Sequence, residues 1–247
     1  MIIVIILILI AIIGSIQEGK FKGNKFFILL ILIAIIPGLF VAFYYTVSNL
    51  ISSLTDFGYL LIGLIVGVPF AIIIKRFSRF TTFEHEATHA LIAMVFFNRI
   101  TKFVFTKRQG GYIAYKGGLN GWFPKHMISL APYYFPLFAF IFIILRPLVG
   151  DNLIPWWDIW IGMWIMFYIF SYMSEILGQW SKRSFNRVGA HENVKTDIGK
   201  EGYIFSFVFI ISLSLFFYGL LFNVILYNYT GIWNYITEIY NQNLLFY

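Results

Sequence analysis

The chain has 247 residues, of which 60% are hydrophobic and 12% charged, with a formal net charge of +7 and no cysteine. A soluble domain carries about 25% charged residues, so this composition excludes a soluble globule and defines an integral membrane protein. The basic residues lie between apolar runs, which reads as membrane orientation rather than nucleic-acid binding; without cysteine, disulfides are excluded and a metal site must use His, Asp or Glu.

Residues 1–16 form a short apolar run with no basic n-region and no small-residue cleavage site before Lys20, which predicts a retained helix. Further spans are predicted at 26–47, 57–74, 126–145, 156–177 and 202–227, each near the roughly 20 residues a bilayer requires. No internal repeat and no long polar stretch interrupts them. The expected fold is an all-α polytopic membrane protein of about six transmembrane helices, plus one polar-bearing helix and a short re-entrant β-hairpin. We read one membrane domain over 1–247: N-terminal spans 1–79, a core at 80–227 and a C-terminal tail at 228–247.

Lys20, Lys22 and Lys25 follow the first run, Lys75, Arg76 and Arg79 follow the third, and Lys182, Arg183, Arg187, Lys195 and Lys200 lie between the last two. By contrast 48–56 and the segment after 227 contain no Lys or Arg. Placing the basic segments in the cytosol puts both termini outside, provided that 80–125 enters and leaves on the cytosolic side. Arg146 alone is out of place.

FTTFEHEATHALIAMVFF, residues 80–97, looks apolar but contains Glu84, His85, Glu86 and His89. An ionisable group at the centre of a membrane helix costs about 2.5–3.5 kcal/mol on the insertion scale, so such groups mark function. His85-Glu86-Ala87-Thr88-His89 is HExxH. Its histidines, at i and i+4, share a helix face and can hold one zinc ion, with Glu86 placed to take a proton from water as general base. Thr81 precedes Glu84 by three residues, which predicts a capping box that starts the helix and gives Glu84 a structural role.

Residues 101–121, TKFVFTKRQGGYIAYKGGLNG, hold β-branched and aromatic residues at 101–106 and 112–115, separated by Lys-Arg-Gln-Gly-Gly. This is a hairpin signature. It is compatible with a surface hairpin or with one tucked under the Glu/His helix beside a wet cavity. Pro132 and Pro136, at i and i+4, predict a bent or partly unwound stretch over 130–137.

A catalytic zinc site normally takes a third protein ligand. The residues leave several candidates: His126, His191 and Glu192, Glu175 about two turns before Lys182, and Asp197, which could equally cap the last helix.

FEHEATHAL, the basic hairpin with GGYIAY, SLAPYYFPLFAF and KTDIGKEGYIFS together resemble the site-2-protease family of intramembrane zinc metalloproteases. The resemblance is to its small bacterial branch without a PDZ domain, and covers residues 80 to about 210. It implies zinc ligands His85, His89 and Asp197 and Glu86 as the catalytic residue, whereas depth within its span makes Glu175 the runner-up for the third ligand. It also implies a bacterial cytoplasmic membrane, an active site toward the cytosol, and a membrane protein or peptide as substrate. The sequence departs from the family in lacking an LDG motif, with its upstream Asn and Pro, around Asp197. Two rivals carry different expectations: a catalytically silent membrane scaffold or sensor of this fold, and a membrane zinc protease of the prenyl-protein type with a glutamate as third ligand.

Overall fold

The computed structural model describes residues 24–75, 77–106, 110–119, 121–185 and 197–245. Helices α1 (Asn24–Ser52) and α2 (Leu54–Lys75) open it. Both are apolar on every side, as expected where lipid leaves backbone groups no partner outside their own helix. Among the described residues, four stretches are long and apolar enough to span a bilayer: Phe27–Ser52, Phe57–Ile74, Asp151–Met173 and Ile204–Tyr227. A fifth is possible if the helix pair Trp122–Tyr134 and Leu137–Leu148, bent by 83°, counts as one span. The expected run at 1–16 lies outside the described residues, and the other five expected spans correspond to these four helices and the bent pair.

The expected continuous span at 126–145 is therefore two helices, α4 (Trp122–Tyr134) and α5 (Leu137–Leu145). Pro136 has no N–H to continue the ladder, and it disfavours helical backbone in the residue before it. Phe135 accordingly takes φ −110° and ψ 103°, an extended conformation. The bend falls within the stretch where the two prolines predict it.

Helix α6 (Ile154–Phe185) packs along α2 at very short range. Small residues permit this: a Cβ on Gly63 would fall on the backbone of Ile159, and one on Gly162 would fall on Leu60 and Gly63. Gly63 and Gly67 form a GxxxG pair, the pattern by which membrane helices bring their backbones together. A short helix α7 (Asp197–Glu201) leads into α8 (Tyr203–Tyr227), which packs against α1. Within that contact Asn223 Nδ2 donates to Thr46 Oγ1 at 2.7 Å, both groups buried. Apolar side chains also cover the outside, with Phe40, Ile65 and Ile204 largely exposed, as for a protein whose surroundings are lipid.

Two expectations need correction here. The segment expected as a C-terminal tail forms helix α9 (Thr230–Leu245), which packs on α1 and α8, with Tyr235 Oη donating to the Leu215 carbonyl at 2.8 Å. Arg146, misplaced as a topology signal, is a buried partner instead. Its Nε and Nη2 donate to the two oxygens of Asp158 at 2.8 and 3.0 Å, and Nη1 donates to Asn228 at 3.2 Å.

The polar helix α3 spans Ser78–Val95 and has no side-chain cap, so the predicted capping box at Thr81 does not start it. The chain turns at Phe77, four residues before Thr81, where Phe80 N–H donates to the Phe77 carbonyl at 2.8 Å. Glu84 is consequently one of the buried residues of the helix body. Strands β1 (Arg99–Thr106) and β2 (Gly110–Lys116) follow as an antiparallel hairpin with Phe103 opposite Ile113 and a register shift between Ile100 and Lys102. The hairpin lies on α3: the Phe83 ring meets Phe103 at 5.8 Å and Phe105 at 5.3 Å between centroids.

Candidate metal centre

Helix α3 carries the centre. Spacing of i and i+4 stacks His85 above His89 on one face, their ring centroids 4.8 Å apart. Opposite them stands Asp197 at the start of α7. Its Oδ2 lies 3.6 Å from His85 Nε2 and 3.5 Å from His89 Nε2. One donor atom from each of the three residues falls within a 4.8 Å circle.

The spacing fits a shared ion better than direct hydrogen bonds. At 3.5–3.6 Å the His–Asp pairs exceed ordinary hydrogen-bond length. Ligands on a tetrahedral zinc, each about 2.0–2.1 Å from the metal, stand roughly 3.4 Å from one another. Two imidazole nitrogens and one carboxylate oxygen are also a donor set zinc accepts, with a fourth position open. The donors therefore suit zinc in both identity and spacing.

The tautomer is arranged as well. His89 Nδ1 donates to the Ile128 carbonyl on α4 at 2.6 Å, which leaves the Nε2 lone pair free to bind a metal on the side of Asp197. The His85 ring meets Tyr133 edge-on at 5.8 Å. Burial alone would raise the Asp197 carboxyl, but His85 and His89 outweigh it and hold the group well below the usual carboxylate range. Lys200 Nζ caps the other oxygen, Oδ1, at 2.9 Å.

Glu86 opens onto the same cavity as His89 and Asp197. This cavity, of about 830 Å³, is lined by Glu86, His89, Gly111, His126, Asp197 and Glu201 among others. Strand β2 forms one wall, passing so close to Glu86 that a Cβ at position 111 would displace the glutamate side chain or the strand.

Of the residues singled out in the sequence, the structure gathers His85, His89 and Asp197, and sets Glu86 beside them. His126 is not part of the three-residue group; it is buried against Glu201. Glu175 lies on α6 with its side chain outside the described residues, as are His191 and Glu192. Sequence reasoning missed Gly111, the Ile128 carbonyl and Glu201. The spacing of Asp197 and Glu201, four apart in one short polar stretch, was the available signal for Glu201.

A helical fold with apolar spans, an HExxH helix, a hairpin beside it and a carboxylate from a later helix is the arrangement to set against known protein families. The profile of the Peptidase M50B-like family matches residues 57–183, which include α2 to α6 and the hairpin, and the chain belongs to that site-2-protease-like family. Comparison with curated proteins and with solved structures gives no match. Asp197 lies beyond the matched residues, so its place in the site rests on the geometry above.

Proposed function

We propose that this protein is an intramembrane zinc endopeptidase that hydrolyses peptide bonds in or near the membrane segments of substrate proteins. The observation that carries the reading is the convergence of His85 Nε2, His89 Nε2 and Asp197 Oδ2 next to Glu86. Zinc held there would supply Lewis acidity to a water and to the scissile carbonyl.

The chain's own residues supply the rest. Glu86 takes a proton as water oxygen bonds to the carbonyl carbon, and it returns a proton to the amine as the C–N bond breaks. The bond must leave its helix first, because helical peptide groups are shielded by their own hydrogen bonds. The hairpin offers strand edges beside the cavity, where an unwound segment can pair by β-augmentation. The basic segments favour a site opening toward the cytosol, and the family resemblance favours a bacterial cytoplasmic membrane with a membrane protein or peptide as substrate.

A scaffold role would not need Glu86 poised at the cavity. A glutamate-liganded protease would not bring an aspartate to both imidazoles. Purified Glu86→Gln and His85→Ala proteins separate the readings. The first is expected to retain close to one equivalent of zinc and to lose cleavage of membrane substrates, the second to lose the metal. Cleavage persisting in Glu86→Gln with zinc bound would reject the mechanism. Glu86→Gln should also retain uncleaved substrates in native membranes, which identifies them.

A further inference from the structure

Asp197 belongs to a helix that cannot hold itself in place. Helix α7 is five residues long, and an isolated turn of that length has no stability of its own in water. Gly202, with φ 95°, then separates it from α8 in a left-handed conformation that breaks the helical path. The orientation of Asp197 must therefore come from contacts made by other α7 residues.

Ser206 Oγ on α8 donates to the Ile198 carbonyl at 3.3 Å, and Glu201 makes the polar contacts to α1 and α4. It lies one turn beyond Asp197 and reaches two other helices. Lys25 Nζ on α1 donates to Glu201 Oε2 at 2.9 Å and to the Glu201 backbone carbonyl at 2.7 Å. His126 Nδ1 on α4 rests against the same Oε2. The Glu201 and His126 side chains are each only 6% exposed. The His126 ring is itself held by Trp122 and Phe205, at 5.6 and 4.9 Å between centroids. Two residues further along α4 is Ile128, whose carbonyl orients His89. One stretch of α4, 126–128, thus touches the helix of each kind of ligand. Burial alone would raise the Glu201 carboxyl, but His126 and Lys25 outweigh it and hold it at about 2, so the group stays ionised at neutral pH.

We propose that Glu201 is a positioning residue for the metal: by clamping α7 to α1 through Lys25 and to α4 through His126, it holds the Asp197 carboxylate against His85 and His89. This rests on the reading of those three residues as zinc ligands. It also assigns a role to α1, which lies outside the residues matched by the family. A buried carboxylate held by an ammonium and an imidazole anchors its helix, because removing either partner leaves a buried charge with less compensation. Partners that orient ligands without touching the ion typically contribute about 10–100-fold to metal affinity.

The test is a cycle of zinc dissociation constants, measured by competition with a chelator on detergent-purified full-length protein. The members are wild type, Asp197→Ala, Glu201→Ala and the double variant, with Lys25→Met as an independent weakening of the same clamp. Glu201→Ala is expected to weaken zinc roughly 10–100-fold when Asp197 is present and to change it little when Asp197 is absent. Lys25→Met should weaken zinc in the same direction by a smaller factor, and it serves alone if Glu201→Ala does not fold. Wild-type affinity in both Glu201→Ala and Lys25→Met, or equal weakening in the two Asp197 backgrounds, would overturn the proposal. Zinc failure of a different kind marks the underlying reading: a wild type that binds no zinc, or a His85→Ala protein that binds it normally, rejects the site itself and the clamp with it.

Discussion

Gly111 and Glu86 are in direct contact: a Cβ at Gly111 would fall on Glu86 Cγ and come within 2.8 Å of Oε1. The hairpin is thus one wall of the slot that sets the glutamate's rotamer. Gly111→Ala must push either the carboxylate or the strand aside. Misplacing a catalytic group by about 1 Å can cost on the order of 10²-fold in rate. We expect a loss of that order in cleavage by Gly111→Ala, with zinc content unchanged, because the atoms the added methyl meets belong to Glu86. Tyr112→Phe, whose ring lies at an exposed neighbouring position, provides the comparison. Wild-type turnover in Gly111→Ala would show that the slot does not constrain the base.

Arg146 and Asp158 form the other buried charge pair, joined by two hydrogen bonds, with Asp158 only 1% exposed. Removing one partner leaves a charge in apolar surroundings, which costs about 3–5 kcal/mol. Asp158→Asn and Arg146→Met should each lower unfolding stability in detergent by that order. Replacing both residues with Leu and Met should recover most of the loss, since an apolar pair of similar volume is often as stable. A double variant as unstable as either single one would mean that the pair's other contacts, such as Asn228, dominate.

What could be read from the sequence was local. HExxH, the hairpin and the Pro132/Pro136 bend are patterns of spacing within a few residues, and each reappears as structure at the expected place. Thr81-x-x-Glu84 satisfied a local pattern too, yet the helix starts at Ser78, because the turn at Phe77 rather than a side chain ends the preceding helix. Helix α9 escaped notice since its polar Asn, Thr and Gln residues interrupt any apolar run; its packing on α1 and α8 makes it a helix. The Lys25–Glu201 contact joins residues 176 apart and leaves no trace in either neighbourhood. The residues alone left Asp197 as one candidate beside Glu175 and His126, and family resemblance singled it out.

Orientation in the bilayer follows from the basic segments and can be measured directly. The chain has no cysteine, so single cysteines at Lys107 and Lys182 report without background. If the segment joining β1 to β2 and the C-terminal end of α6 face the cytosol together, both positions react with the same membrane-impermeant thiol reagent and from the same side. Labelling from opposite sides would reject the assignment of the basic loops to one face.

The identity of the third ligand is the prediction with the sharpest alternatives. Depth along a span argued for Glu175, about two turns inside its helix, roughly 10 Å at 1.5 Å per residue. Geometry favours Asp197, whose Oδ2 faces both imidazoles at 3.5–3.6 Å. If Asp197 only capped its short helix, its removal would cost about 0.5–2 kcal/mol of stability and leave the metal in place. If it is a ligand, losing one of three protein donors should deplete zinc strongly, and Asp197→Asn should do so with little change in volume. We therefore expect Asp197→Ala and Asp197→Asn to purify with far less than one equivalent of zinc, and Glu175→Ala to purify with nearly a full one. Metal analysis of the purified proteins decides it: full zinc in both Asp197 variants together with depletion in Glu175→Ala would transfer the ligand to α6.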